Sequence, residues 1–432
     1  MSTNELIVYR DLMSDPLISD MSLLFTEGAD RNTKLHALFY ECVRKLLDFA
    51  GHYGFGGNLW HVYIAHLLVN CENTYSRAEE LKGAVDGSVC NAVDYDMAII
   101  KDLFNADLEE LASKFGFKEP ELITSYRTSE EESKVYNSRI RSRIMELTKR
   151  LEEGKTAEAF RESLRDFYRE YGVGRFGLHK AFRIEEAGGQ SAIVPITNIT
   201  HVRFDDLVGY ESQKQKIRDN TEAFLNGLPA NNCLLFGDAG TGKSSCIKAI
   251  ANEYFDRGLR IIEIYKHQFK DINAVISTIK SRNYRFILYM DDLSFENFET
   301  DYKYLKAVIE GGLERKPKNV LIYATSNRRH LVDERFSERE ATDQVHARDN
   351  TEEKLSLYER FGVTVYFGGP SKDEFEDIVL NLAERKGLSI PKETLLTEAN
   401  KWQLSHGSRS GRLAEQFVNH LLGIDGLKEG KQ

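Results

Sequence analysis

The stretch Gly237-Asp238-Ala239-Gly240-Thr241-Gly242-Lys243-Ser244 constrains the fold more than any other. It has the spacing of a phosphate-binding loop: a glycine, four residues, then Gly-Lys-Ser. Such a loop works between a strand and a helix, and the flanks agree. Cys233 to Phe236 is a short apolar run of strand length. Beyond Ser245, Ile247, Ile250 and Ala251 lie on one side of a helical pattern that runs to Tyr254. Glycines let backbone amides turn inward around phosphate oxygens. The helix start adds unpaired N–H groups and the positive end of a dipole. Lys243 is then expected to reach the β- and γ-phosphates, and the Ser244 hydroxyl to ligate Mg2+. The expected ligand is ATP, held along Gly237 to Ser245.

Two more apolar runs follow. Phe286 to Met290 ends in Asp291 and Asp292, so a strand delivers two carboxylates to its C-terminal edge. Ligands of open α/β sheets bind at that edge. Asp291 is expected to hold Mg2+, mostly through water, and Asp292 to orient or deprotonate an attacking water. Asn319 to Thr325 is the third run, followed by Ser326 and Asn327. Asn327 could hydrogen-bond the γ-phosphate or the lytic water, or simply cap a helix. Three such runs, each followed by polar or helical segments, predict an α/β core over residues 200–369. Its sheet should be mostly parallel and flanked by helices, with the phosphate strand beside the acidic strand or one strand away. A small helical lid is expected over 370–432.

Phosphate loop, acidic strand and polar strand end in this order resemble the AAA+ class of ring-forming ATPases. The resemblance covers roughly residues 200–425. Phe204-Asp205-Asp206-Leu207-Val208-Gly209-Tyr210 is similar to the leading segment that cradles adenine in that class, which implies Val208 and Gly209 as nucleotide contacts. Asn327 corresponds to the first sensor residue. Lys354 to Gly362 resembles the arginine-finger region, with Arg360 as the candidate and Arg315, Arg335 and Arg339 as rivals. Ser408-Arg409-Ser410-Gly411-Arg412 resembles the second sensor, with Arg412 ahead of Arg409. The details look most like a bacterial family of P-loop ATPases of uncharacterised role, which joins a helical N-terminal region to an AAA+ module. Helicase loaders and replication initiators are more distant look-alikes.

The resemblance implies Mg2+-dependent ATP hydrolysis in a homo-oligomeric ring or open ring, with Arg360 acting in trans. The energy would drive remodelling or loading of a macromolecular partner. The alternative is an ATP-gated interaction module with slow hydrolysis. One departure favours slowness. The class usually has Glu after the metal-binding Asp, and here Asp292 reaches one methylene less far. Glu296, four residues on, is a less direct substitute.

The first 199 residues read as a mostly helical region. Helical patterns cover 21–50, 59–69, 104–117, 120–129 and 131–170, with a break near Gly154. A short hairpin within 181–199 closes the region. Gly172, Gly174 and Gly177 spell GxGxxG but follow a helix-like segment, so a tight turn between a helix and a small sheet is expected instead of a dinucleotide site.

The formal net charge of −10 is concentrated in the first half, so no strongly basic nucleic-acid-binding domain is visible. The N-terminal region reads as protein-binding. DNA is the less supported partner, resting on small basic patches at Lys266 to Lys270, Arg282 and Arg328-Arg329-His330. The five cysteines form no CxxC pair and suit a reducing compartment. No signal peptide or 18-residue apolar stretch is seen, and a cytoplasmic protein with no membrane partner is expected. No zinc-binding pattern occurs.

Overall fold

The computed structural model describes residues 3–27, 33–81, 83, 85–128, 135–187, 190–293, 305, 308–309, 317–327 and 360–429. The chain divides into two compact units, residues 1–179 and 180–432.

The first unit is helical. Its helices are α1 (Pro16–Glu27), α2 (Thr33–Tyr53), α3 (Leu59–Asn70), α4 (Thr74–Glu79), α5 (Ser88–Phe104), α6 (Leu108–Lys114), α7 (Glu121–Thr124), α8 (Ser138–Glu153), α9 (Ala157–Tyr171) and α10 (Gly174–Leu178). α2 buries Leu35, Phe39, Cys42, Val43, Leu46 and Phe49, a single stripe at three-to-four spacing. α3 buries residues all round, from Leu59 and Trp60 to Leu68 and Val69, so it is the core helix. Asn58, Asn137 and Thr156 cap α3, α8 and α9 with side-chain oxygens. The fully buried Asp96 of α5 accepts the amides of Ile7, Val8 and Tyr9 at 2.7–2.8 Å and ties the N-terminal segment down. The pattern read over 21–50 resolves into α1 and α2, and α5 is an element the sequence reading did not identify. Gly172 ends α9 at φ 86° and Gly174 opens α10 at φ 64°, so GxGxxG spans a turn and most of the short helix α10, where a turn leading straight into a small sheet was expected.

The second unit is built on a seven-stranded sheet. Its strands are β1 (Ala181–Ala187), β2 (Gln190–Pro195), β3 (Cys233–Gly237), β4 (Leu259–Glu263), β5 (Arg285–Met290), β6 (Val320–Ser326) and β7 (Val363–Phe367). The order is β2-β1-β4-β5-β6-β3-β7. Every neighbouring pair is parallel except the β1–β2 hairpin. β6 is buried throughout and β5 nearly so, which is why both read as unbroken apolar runs. The phosphate strand β3 lies one strand from the acidic strand β5, with β6 between them, as expected. The helices α11 (Glu211–Leu225), α12 (Lys243–Glu253) and α13 (Ile272–Ile279) complete this core among the described residues.

The hairpin differs from expectation. The sequence pattern places it at the end of the N-terminal region, with a boundary at 199. Instead β1 pairs in parallel with β4, Phe182 opposite Ile262, and the compact unit begins at Lys180. The reason is an edge: β4 would otherwise leave a row of backbone groups open, and β1 satisfies them while burying Phe182 and Ile184.

Three C-terminal helices, α14 (Lys372–Arg385), α15 (Lys392–His406) and α16 (Gly411–Glu429), form the lid. They share a core of Phe375, Val379, Leu395, Ala399, Ala414, Phe417 and Val418. Among the described residues, no helix is long and apolar enough to cross a membrane.

Candidate nucleotide site at the sheet edge

The phosphate loop leaves β3 at Gly237, where φ is 130° and an added Cβ would lie 2.2 Å from the Phe367 carbonyl oxygen of β7. It closes at Gly242, φ 95°, as α12 begins. Thr241 Oγ1 donates to the Asp238 carbonyl at 2.8 Å and holds the turn. Lys243 is buried. Its ammonium donates to the carbonyls of Gly237 at 3.1 Å and Asp238 at 2.6 Å. Burial lowers its pKa, and the carboxylates of Asp238, Asp291 and Asp292 work against that shift.

The acidic strand meets the loop directly. Ser244 Oγ donates to Asp291 Oδ1 at 2.9 Å. The same oxygen accepts from Tyr289 Oη at 2.7 Å and Thr325 Oγ1 at 2.5 Å. Burial acts to raise the Asp291 pKa, but these three hydroxyls outweigh it and hold the carboxyl below its usual value. Asp292 has φ 52°, a conformation rare for a residue with a side chain. Its amide donates to Thr325 Oγ1 at 3.0 Å, and its Oδ1 accepts from Asn327 Nδ2 at 2.9 Å.

The lid closes the other side. The Arg412 amide donates to the Gly240 carbonyl at 3.3 Å, so α16 starts on the phosphate loop. Ser410 Oγ caps α16 by accepting from the Leu413 amide at 3.1 Å. Gly368 and Gly369, which join β7 to α14, are each held. Tyr210 Oη donates to the Gly368 carbonyl at 2.6 Å, and the Gly369 amide donates to Asp238 Oδ2 at 2.8 Å. The half-buried Arg409 lies beside Gly369. Arg385 of α14 donates to the carbonyls of Asp205 and Asp206 at 2.8 and 3.0 Å and pairs with the Asp206 carboxylate at 3.0 Å. Val208 packs on the lid core, and Gly209 makes the turn before α11 at φ 77°.

The structure thus gathers Gly237 to Ser245, Asp291, Asp292, Asn327 and the start of α16 at one edge of the sheet. Arg360 lies at the opposite edge. β7 pairs Val363 with Cys233 and Phe367 with Gly237, so the exposed Arg360, three residues before β7, is at the far end from the loop of its own chain. Arg315, Arg335, Arg339 and Glu296, together with Arg328, Arg329 and His330, lie outside the described residues. Sequence reasoning gave no role to Tyr289 or Thr325 and named Tyr210 only as part of the leading segment. What was missing is strand register: Met290 pairs with Ala324, which places Asp291 and Thr325 side by side.

The family described as "Protein of unknown function (DUF815)" matches residues 177–425. The chain belongs to this family. The DUF815 match begins within a few residues of the boundary between the two compact units. The chain is also similar to the replication factor C large subunit of Staphylothermus marinus, 38% identical over 77 residues. That stretch is 17% of this chain and 18% of the relative's length. Among solved structures, it is similar to the Thermotoga maritima RuvB Holliday junction branch migration motor, with TM-score 0.35 and 15% identity over 50% of this chain and 63% of that one. A variant of the same RuvB gives TM-score 0.38 and 15% identity over 52% and 67%. The DUF815 chain has the architecture expected from its sequence: a mostly parallel sheet with flanking helices, C-terminal helices and a helical N-terminal region.

Proposed function

We propose that this chain is a Mg2+-dependent ATPase of the AAA+ kind, which couples ATP turnover to remodelling or loading of a macromolecular partner. One observation carries the reading. The Ser244–Asp291 hydrogen bond joins the helix start of the phosphate loop to the end of the acidic strand, at 2.9 Å. A hydroxyl and an ionised carboxylate form an all-oxygen donor set that fits a hard divalent cation. Mg2+ bound there would offset negative charge on the phosphate oxygens.

The chain's own residues then have separate tasks. Gly237 to Ser245 cradle the phosphates with backbone amides. Lys243 exchanges its two carbonyl partners for β- and γ-phosphate oxygens. Asp292 orients the attacking water or takes its proton, and Asn327, hydrogen-bonded to that carboxylate, would turn toward the γ-phosphate. Arg412 reads the phosphate from the lid, and Arg360 completes the site of a neighbouring subunit. Val208 and Gly209 flank the base.

Two variants test this. Lys243→Ala removes the mobile positive charge and should abolish most ATP binding or turnover; wild-type affinity and rate would sink the site. Asp292→Asn should keep ATP binding and lower turnover by roughly 10²–10⁴-fold, the usual cost of losing a general base. Equal loss of binding would make Asp292 structural or a cation ligand. The slower, ATP-gated reading is favoured by the short Asp292 side chain and its bond to Asn327. ATP-driven assembly with turnover too slow to matter would select it. The net charge of −10 favours a protein partner at the N-terminal unit. Salt-dependent retention on a DNA column would reverse that preference.

A further inference from the structure

Three hydroxyls from three separate elements converge on one oxygen of Asp291. Ser244 comes from the start of α12, Tyr289 from β5 and Thr325 from β6, at 2.9, 2.7 and 2.5 Å from Oδ1. We propose that Tyr289 and Thr325 are positioning residues that lock Asp291 in the orientation needed to bind the cation. The inference rests on the ATPase reading above and adds to it the parts that set cation affinity.

Strand geometry explains the convergence. Tyr289 and Asp291 are alternate residues, the first near the end of β5 and the second just past it, so their side chains leave the chain on the same side. The β5–β6 register brings Thr325 alongside Asp291. Both hydroxyl bearers are buried, Thr325 at 2% and Tyr289 at 8% exposure, so water does not compete freely for their bonds. Turning the carboxylate about its Cβ–Cγ bond would break all three hydrogen bonds together. It would also release the Ser244 proton. While that proton points at Asp291, the lone pairs of Ser244 Oγ point elsewhere and are available to a cation.

Thr325 has a second task. A hydroxyl has one proton and two lone pairs. Thr325 gives the proton to Asp291 and accepts the amide of Asp292 at 3.0 Å. Its backbone carbonyl accepts the Leu293 amide at 2.6 Å. The left-handed turn at Asp292 is therefore held from both sides by one residue of the neighbouring strand. Valine matches threonine in shape but has neither the proton nor the lone pairs. Serine keeps both.

The experiment follows binding of a fluorescent ATP analogue through a Mg2+ titration, with an EDTA baseline, alongside turnover. Groups that orient a metal ligand typically contribute 10–100-fold in affinity. Thr325→Val should raise the Mg2+ concentration for half-maximal tightening by roughly tenfold or more, and leave affinity in EDTA unchanged. Thr325→Ser should behave as wild type. Tyr289→Phe keeps the ring, loses one donor of three, and should shift the Mg2+ midpoint by a few-fold. If Thr325→Val does not fold, Tyr289→Phe carries the test alone. Wild-type Mg2+ dependence in Thr325→Val, or in Tyr289→Phe where Thr325→Val does not fold, would overturn the proposal. So would a Thr325→Ser as defective as Thr325→Val, because packing would then explain the loss. A wild-type protein that binds ATP identically with and without Mg2+ would overturn the ATPase reading itself.

Discussion

Gly240 links the phosphate loop to the lid, and replacing it by alanine separates backbone strain from that contact. Gly240 has φ 76° and Gly242 has φ 95°. Alanine in the left-handed region costs roughly 1–2 kcal/mol at either position. The surroundings differ. A Cβ on Gly242 meets nothing within 4 Å. A Cβ on Gly240 lies 3.0 Å from Ser410 Oγ and 3.1 Å from the Cβ atoms of Ser410 and Arg412. Ser410 cannot turn away without losing its bond to the Leu413 amide, a cap of about 1 kcal/mol. Close contacts of this kind typically cost 1–3 kcal/mol. Gly240→Ala should therefore destabilise the protein by about 1–2 kcal/mol more than Gly242→Ala. Urea denaturation in nucleotide-free buffer measures both. Equal midpoints would mean that α16 does not rest on the loop in solution, and the placement of Arg412 would fall with it.

Asp96→Ala strips the amides of Ile7, Val8 and Tyr9 of their acceptor. It should cost roughly 2–4 kcal/mol, with fast hydrogen exchange confined first to those amides. His66 is partly buried among Phe49, Tyr53 and Tyr136, and loss of solvation lowers its pKa from 6.5 to about 4. The unfolded chain thus binds a proton that the folded one refuses, and stability falls by up to about 3 kcal/mol as pH drops from 6.5 toward 4. His66→Leu should flatten that slope in pH-dependent unfolding; an unchanged slope assigns it to other groups. Mixing Lys243→Ala protein with Arg360→Ala protein should restore turnover, because some mixed sites pair an intact loop with an intact finger. Confirmed mixed assembly without recovered turnover would discard Arg360 as a trans finger.

The phosphate loop and the two strand ends were legible because each is a contiguous motif whose chemistry depends on order along the chain. The pairing partners were not. Phe182 and Ile184 show that β1 is a strand, yet nothing local says that it joins β4 and not a small sheet of its own. Tyr289 and Thr325 look like ordinary strand residues until register places their hydroxyls on Asp291. Asp96 reads as a polar residue in a helical stretch, and its three amide partners lie nearly ninety positions earlier in the chain. In each case the information is in long-range pairing, which a periodic pattern does not encode.

Arg385 gives the lid a grip on the far end of the proposed nucleotide site. Its three bonds fasten the turn at Asp205 and Asp206 to α14, and Val208 rests on the lid core just beyond. A lid rotating about Gly368 and Gly369 must either drag that turn along or break those bonds. The segment before α11 is therefore tied to the lid, as the phosphate loop is through the Arg412–Gly240 bond, while the loop is also anchored in the sheet at Gly237. In the proposed ATPase the lid would therefore touch both ends of a bound nucleotide, and a shift of α14 to α16 would strain the two contacts together.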